Sequence, residues 1–330
     1  MLAADVIRSG GLVVFPTETV YGLGADALNA DAAKKIYSAK GRPSDNPLII
    51  HIDNPSEAEK YTYTSEVYYK LAEKFMPGPL TVVMNARDTV PKETRGGLPT
   101  VAVRCPENEI ARRLIELSGT PIAAPSANLS GSPSPTNAAH VIDDMDGRVD
   151  VILDGGDSDF GLESTIVKIE DDGSLTLLRP GKITPEDLMT VGVPLKLASA
   201  VTEQMKPGET VLSPGMKYKH YAPSASFVLL DGEIEDICKY VAEKAGQNAS
   251  VFAFEEELEM VSERLSNVKI YLLGSKEDEQ SQAKRLFSLL RQADKDGCLE
   301  IYARLPKAKG IGLALYNRMI RAAAHKIIKL

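Results

Sequence analysis

Short apolar runs and amphipathic stretches alternate along the first two hundred residues. The apolar runs predict strands at residues 12–15, 47–52, 80–84, 100–103, 121–124, 149–153 and 164–169. Helical spacing of apolar positions predicts helices at residues 30–39, 66–75, 109–118 and 136–145. We therefore expect a mixed α/β domain in this part of the chain.

The last hundred residues show a more regular alternation. They contain strand patterns at residues 227–230, 249–254, 269–273 and 298–303, and helical patterns at 234–245, 280–294 and 311–328. Strands that alternate with helices predict a smaller βα domain with a parallel sheet. Pro and Gly are frequent in the segment between the two patterns. We therefore expect domains at residues 1–205 and 226–330, joined by a segment at 206–225.

Composition narrows the class of protein. The chain has 330 residues, of which 43% are hydrophobic and 25% charged, as expected for a globular protein. Its formal charge of -8 gives no overall attraction for a polyanion such as nucleic acid. The N-terminal residues do not resemble a signal peptide, and no apolar run approaches the ~20 residues of a membrane span.

The three cysteines are widely separated in the sequence, at Cys105, Cys238 and Cys298. This spacing suggests neither a disulfide framework nor a thiolate zinc site. We expect a cytoplasmic protein without membrane contact.

The segment Gly22–Ala27 matches the pattern GxGxxA of a dinucleotide-binding turn. However, residues 16–21 separate it from the preceding strand, whereas the motif requires the first glycine in the strand-to-helix turn itself. We therefore interpret these glycines as part of a tight loop beside a strand.

Polar residues follow several of the predicted strands and one helix. They comprise Pro16–Tyr21, Lys40–Pro43, Arg104, Pro125–Asn128, Ser130, Ser132 and Ser134. Ligands of open α/β sheets gather outside strand ends, so these loops could meet at one pocket.

Most of these residues also have a simpler explanation. Lys40 and Arg42 suit a helix C-terminus, and Ser126 and Asn128 are common turn formers. His51 lies between isoleucines and suits the edge of a core. Arg104 is different, because an arginine beside an apolar strand is partly buried and requires an anionic partner.

Taken together, the ordered motifs resemble the YrdC-like family in its long form, which carries an additional C-terminal domain. The resemblance rests on residues 15–24, 40–43, 47–51, 125–128, 161–166, 178–181 and 213–223. The C-terminal third is matched mainly by Asn317–Arg318 and Arg321–Ala323. The resemblance implies a twisted mixed-sheet α/β domain followed by a smaller Rossmann-like βα domain.

The resemblance also implies an activity. Such enzymes join L-threonine, bicarbonate and ATP into threonylcarbamoyl-AMP and release pyrophosphate, as the first step of threonylcarbamoyladenosine formation on tRNA. Magnesium would arrive with ATP, without protein ligands and without an organic cofactor. The implied partner is a downstream tRNA threonylcarbamoyl transferase complex, with room for a weak contact with tRNA.

The same resemblance assigns roles to individual residues. The signature residues expected to take part in catalysis are Lys40, Arg42, Ser126 and Asn128. Those expected to bind L-threonine are Thr19, His51, Arg104, Ala124 through its backbone, and Ser164. Those expected to bind ATP are Arg42, Asn46, Thr100, Ser126, Ser134, Arg179 and His220. Those expected to form an active-site lid within residues 206–225 are Lys217, Tyr218, Lys219 and Tyr221.

Three alternatives remain open on the sequence. The basic loops could form an RNA-binding module without catalysis. The domain could use another carbamoyl donor, like the hydrogenase-maturation carbamoyltransferases, although their zinc-finger and acylphosphatase-like modules have no visible counterpart. The expected lid could instead be a linker docked on the surface.

Overall fold

The computed structural model describes residues 1–203 and 220–330. The chain divides into two compact units. The first comprises Met1–Ser130 and Ser134–Lys217, and the second comprises Gly131–Pro133 and Tyr218–Leu330. The division therefore falls inside the expected connecting segment, whose residues 206–219 lie outside the described part of the chain.

The described residues of the first unit form a mixed ten-stranded sheet. Its strands are β1 (Val13–Phe15), β2 (Gly22–Asp26), β3 (Ile49–His51), β4 (Leu80–Asn85), β5 (Thr100–Arg104), β6 (Ile122–Ala123), β7 (Val151–Ile152), β8 (Thr165–Ile169), β9 (Leu175–Arg179) and β10 (Leu195–Leu197). Their order is β10-β9-β8-β4-β5-β3-β6-β2-β1-β7. The mixed α/β class expected from the sequence is confirmed.

Helices connect most of these strands. They are α1 (Leu2–Arg8), α2 (Ala30–Lys40), α3 (Glu66–Phe75), α4 (Glu109–Ser118), α5 (Ala138–Met145) and α6 (Pro185–Met189), with 3-10 turns at Pro55–Lys60 and Ser199–Val201. Asn29 caps α2 by accepting hydrogen bonds from the amides of Asp31 and Ala32. The helix ends at Lys40 because Gly41 adopts the left-handed conformation, with φ of 61°.

The glycine-rich segment Gly22–Asp26 is a strand, so its interpretation as a tight loop is wrong. Its glycines are needed for packing against the neighbouring strands. A Cβ at Gly24 would lie 2.7 Å from both the Phe15 ring and the Ile122 side chain. The dinucleotide-binding interpretation also fails, because the segment forms a strand and does not open a helix.

The second unit contains a five-stranded sheet in which every strand pair is parallel, as the sequence predicted. Its strands are β11 (Ser226–Asp231), β12 (Ala249–Phe254), β13 (Lys269–Gly274), β14 (Glu300–Arg304) and β15 (Ile327–Lys329), in the order β13-β12-β14-β11-β15. Its helices are α7 (Ile234–Lys244), α8 (Leu258–Arg264), α9 (Glu279–Lys295) and α10 (Gly312–Ala322), with a 3-10 turn at Glu255–Glu257.

The helix expected at residues 311–328 is too long. It ends at Ala322, and Ala324 and His325 both adopt positive φ angles, of 48° and 61°. This left-handed turn directs the chain into β15, which pairs with β11. Within residues 1–203 and 220–330, no helix is long and apolar enough to cross a membrane.

The close approach around Gly24 gives a stability prediction. Gly24→Ala places a methyl group against Phe15 and Ile122, and we expect it to lower the free energy of unfolding of the first unit by about 1–3 kcal/mol. The matched control is Gly22→Ala on the same strand, where the nearest atom to a new Cβ is 3.2 Å away. Chemical denaturation should show a smaller loss for the control. Equal stability of Gly24→Ala and the wild type would contradict this packing argument.

Candidate active site

Arg104 lies at the end of β5 and is buried. Strand register places it directly opposite two other polar residues. It pairs with His51 on β3 in parallel and with Thr81 on β4 in antiparallel register. Because directly paired residues project to the same face of a sheet, His51, Arg104 and Thr81 form a polar row on one face.

Arg104 has the anionic partner that its position required. Its Nη2 lies 2.6 Å from Oε1 of Glu18, and each side chain is only 5% exposed. Glu18 belongs to the loop between β1 and β2, so this ion pair ties that loop to the polar row. The sequence motifs include Glu18, but no role was assigned to it.

The loop that carries Glu18 is held by its own hydrogen bonds. Oγ1 of Thr17 donates to the carbonyl of Val20 over 2.6 Å and lies 2.8 Å from Oγ1 of Thr19. The carbonyls of Glu18 and Thr19 accept hydrogen bonds from the amides of Phe160 and Gly161. Thr19, expected to bind threonine, is therefore buried in a loop with a defined backbone conformation.

His51 is an uncharged member of the row. Burial, and then the nearby charge of Arg104, lower the pKa of His51 to about 3. Its Nδ1 donates to the carbonyl of Ile49 over 3.2 Å, which fixes the orientation of the ring. The ring also contacts Phe15 edge-on. At neutral pH His51 contributes a neutral polar surface and not a second positive charge.

Ser164 connects the row to Arg179. Its Oγ lies 2.8 Å from Oγ1 of Thr81 and accepts a hydrogen bond from Nη2 of Arg179 over 3.1 Å. Nε of Arg179 donates to the carbonyl of Ser164 over 3.0 Å. A residue expected to bind threonine and one expected to bind ATP are thus in direct contact. Thr81 was not predicted, although it is a polar residue within an otherwise apolar strand pattern.

A second group forms around Lys40 at the end of α2. Its Nζ donates to the carbonyls of Ser126 and Asn128, each over 2.5 Å. Oγ of Ser126 donates to Oδ1 of Asn128 over 2.5 Å. Lys40 is 2% exposed, so it is not simply a solvated charge at a helix C-terminus. The two sequence signatures therefore meet in space.

Arg42 and Asn46 lie in the loop between α2 and β3. The Arg42 guanidinium donates to the carbonyls of Asn46 and Pro47 over 3.2 and 3.1 Å. Thr100 begins β5, at the end opposite Arg104. The two residues are four steps apart along the strand, which corresponds to about 13 Å.

Two further predicted residues lie in the loops around the sheet. Ser134 is buried and its Oγ donates to Glu163, which the sequence analysis had not singled out. The amide of Ala124 donates to the carbonyl of Ile49 over 2.9 Å. Its own carbonyl is therefore the backbone group to consider as a contact for threonine.

His220 and Tyr221 belong to the second unit. His220 lies next to Tyr221, which has a positive φ of 63° and stacks on Phe287 at a ring separation of 5.2 Å. Arg318 lies over the Tyr221 ring at 5.5 Å. Lys217, Tyr218 and Lys219 lie outside the described residues.

The electrostatic character of the first unit follows from these contacts. Lys40, Arg42, Arg104 and Arg179 are buried cations. The buried carboxylates are Glu18 and Glu163. Such a set suits an anionic ligand held by charge-assisted hydrogen bonds. Across the described ranges, no group of three or more His, Cys, Asp or Glu side chains is arranged to hold a metal ion.

Two family models match successive parts of the chain. The family model Sua5_yciO_yrdC, described as telomere recombination, matches residues 5–181. A second model, described as the C-terminal domain of threonylcarbamoyl-AMP synthase, matches residues 183–324.

Individual relatives match over nearly the full length. The threonylcarbamoyl-AMP synthase of Pyrococcus abyssi is 44% identical over 99% of this chain and 95% of its own. That of Bacillus subtilis is 42% identical over 99% of this chain and 93% of its own. A crystal structure of P. abyssi Sua5 complexed with L-threonine superposes with a TM-score of 0.90 and 42% identity, covering 100% of this chain and 95% of the other.

The low pKa of His51 predicts a pH dependence of stability. Unfolding restores the ordinary pKa of 6.5, so the unfolded chain binds a proton below that pH while the folded chain stays neutral down to about pH 3. The contribution of neutral His51 to the free energy of unfolding is therefore complete above pH 6.5, and it is lost as the pH falls toward 3.

When the pH falls from 7.5 to 5.5, the free energy of unfolding should decrease in the wild type because His51 is protonated only in the unfolded chain. We expect this decrease to be about 1.4 kcal/mol smaller in His51→Gln. Denaturant titrations at the two pH values measure this difference. Identical losses in the two proteins would show that His51 keeps an ordinary pKa.

Proposed function

This chain belongs to the threonylcarbamoyl-AMP synthases that carry the additional C-terminal domain, and we propose how its residues bind L-threonine, bicarbonate and ATP to make that product. The observation that carries the proposal is the polar row of His51, Arg104 and Thr81, joined to Ser164 and Arg179 by direct hydrogen bonds.

Arg104 is the proposed binding group for the threonine carboxylate. It is a buried cation whose planar guanidinium can donate two parallel hydrogen bonds to a carboxylate. Thr19, His51, Ser164 and the Ala124 carbonyl are the proposed neutral contacts. The neutrality of His51 suits this role, because it adds hydrogen bonding without a second cation. The P. abyssi relative, whose structure contains L-threonine, supports this amino acid as the ligand.

The remaining cations are proposed to bind ATP and bicarbonate. Lys40 and Arg179 are held by backbone carbonyls, so their positions are fixed before the substrates arrive. Lys40, Arg42, Ser126 and Asn128 are the proposed catalytic set. The proposed ATP contacts are Arg42, Asn46, Thr100, Ser126, Ser134, Arg179 and His220. The lid remains a proposal of the sequence analysis, because Lys217, Tyr218 and Lys219 lie outside the described residues.

The reaction depends more on the correct placement of the reacting groups than on covalent catalysis. The amine of threonine, after loss of its ammonium proton, attacks the carbon of bicarbonate and expels water; an oxygen of the resulting carbamate then attacks the α-phosphorus of ATP as pyrophosphate leaves. Holding these groups in line lowers the entropic part of the barrier. Fixed cations stabilise the charge that develops on the phosphoryl oxygens. Buried cations held by backbone carbonyls fit this requirement.

Magnesium is proposed to enter with ATP and to neutralise part of the phosphate charge. We assign no protein ligand to it and propose no organic cofactor.

We also propose that the protein works in the cytoplasm, that it passes its product to a tRNA threonylcarbamoyl transferase complex, and that any contact with tRNA is weak. The net charge of -8 supports this last point.

The substrate requirement can be tested by pyrophosphate release. We expect release in the presence of ATP and magnesium only when L-threonine and bicarbonate are both present. Omission of each component in turn, followed by a coupled pyrophosphate assay, measures this. Release without threonine would indicate a different acceptor, and RNA binding without any release would favour the noncatalytic RNA-binding module.

The carboxylate site can be tested with Arg104→Lys. This variant keeps the charge opposite Glu18 but loses the planar donor pair, so we expect KM for threonine to rise roughly 10–150-fold. Arg113→Lys, whose side chain is 61% exposed, is the control and should match the wild type. An unchanged KM in Arg104→Lys would reject Arg104 as the carboxylate site.

Selectivity for threonine over serine should be limited. The two amino acids differ by one methyl group, which a pocket discriminates by about 1–3 kcal/mol, or roughly 10–200-fold in kcat/KM. Steady-state assays with L-serine at saturating concentration measure this ratio. Undetectable turnover of serine would show that the pocket excludes it by another mechanism.

A further inference from the structure

We propose that Glu18 binds the α-ammonium group of the amino acid substrate, so that Glu18 and Arg104 together recognise the zwitterion. This inference rests on the proposed function, because it takes Arg104 as the site of the carboxylate. It assigns a binding role to a residue that the sequence motifs contain but do not explain.

The two carboxylate oxygens of Glu18 have different surroundings. Oε1 lies 2.6 Å from Nη2 of Arg104. Oε2 is buried and receives no hydrogen bond from any group within residues 1–203 and 220–330. A buried carboxylate oxygen without a donor is costly, because it has lost water and gained no partner. Oε2 is therefore an acceptor available to a ligand that enters the row.

Arg104 shows the complementary feature. Its Nε is also buried and donates to no acceptor among the described residues. One ion pair thus retains an unused acceptor on its negative member and an unused donor on its positive member. A ligand with a carboxylate beside an ammonium group satisfies both at once. The α-carbon of an amino acid carries this pair of groups.

Charge balance also favours a zwitterion over a simple anion. Arg104 and Glu18 have a net charge of zero, and His51, the other ionisable residue of the row, is neutral. A carboxylate without an ammonium group would meet the attraction of Arg104 and the repulsion of Glu18 in the same buried place. A zwitterion adds no net charge and pairs with both residues.

The nearby polar groups are less suited to receive an ammonium group. Glu163 accepts a hydrogen bond from Ser134. Nδ1 of His51 is a donor to the carbonyl of Ile49. The Thr19 hydroxyl is neutral and lies against Thr17. Glu18 is the buried carboxylate that adjoins the proposed carboxylate site directly.

Glu18 could bind the ammonium group, or it could only orient Arg104, and a test has to distinguish these two roles. The two roles differ in their effect on a ligand without an amine. (R)-3-hydroxybutanoate has the carboxylate and hydroxyl of L-threonine but lacks its α-amine. Loss of an ammonium-binding group weakens L-threonine alone, whereas misplacement of Arg104 weakens both ligands.

The test measures both ligands by isothermal titration calorimetry on the wild type, Glu18→Gln and a control. Glu18→Gln is nearly isosteric and keeps an oxygen that can accept from Arg104. We expect its Kd for L-threonine to rise about 10–150-fold. We expect its Kd for (R)-3-hydroxybutanoate to stay unchanged or fall, because the repelling charge is gone. The control, Glu116→Gln, removes a carboxylate that is 57% exposed and should leave both values unchanged.

Equal weakening of both ligands in Glu18→Gln would overturn the inference and leave Glu18 as a positioning residue. Unchanged threonine binding would overturn it as well. If Glu18→Gln does not fold, the wild type alone decides, because binding of (R)-3-hydroxybutanoate as tight as that of L-threonine would exclude an ammonium site. Failure of the proposed function is distinct, since neither ligand would then respond to Arg104→Lys.

Discussion

The buried ion pair between Glu18 and Arg104 is the constraint on which the candidate site depends. Burying two charges is costly, and the cost is recovered only when their partners are well placed. Here Arg104 is fixed by the register of β5 between β3 and β4, and Glu18 by a loop whose carbonyls are bonded to the chain near Phe160. The pair therefore joins the central strands to the loop after β1. Loss of either member would leave a buried charge without its partner.

The rest of the site follows the same principle, in which the side chains proposed to bind substrates are held by backbone groups. Lys40 is fixed by carbonyls of the loop that carries Ser126 and Asn128, and Arg179 by the carbonyl of Ser164. This arrangement sets positions and charges before substrates bind, as a reaction governed by alignment and charge neutralisation requires.

Local signals in the sequence predicted much of this structure, and long-range packing accounts for what they missed. The helices 66–75 and 109–118 were predicted to their ends from the spacing of their apolar positions, and the structure shows Ser65 and Asn108 as their N-terminal caps. The need of Arg104 for an anion was evident from its apolar strand, and the meeting of the Lys40 and Ser126 motifs followed from the family resemblance. The strand at Gly22–Asp26 was missed because its glycines are explained by close packing against Phe15 and Ile122 on neighbouring strands. Glu18 was missed as the partner of Arg104 because the two residues are 86 positions apart, and no periodicity connects them.

The central claim is that one buried ion pair organises the recognition of the amino acid. The most direct test is a crystal structure of this chain with L-threonine bound. We expect the threonine carboxylate at the guanidinium of Arg104, with the ammonium nitrogen about 3 Å from Oε2 of Glu18. A carboxylate bound away from Arg104, or an ammonium group that contacts only backbone carbonyls, would contradict it.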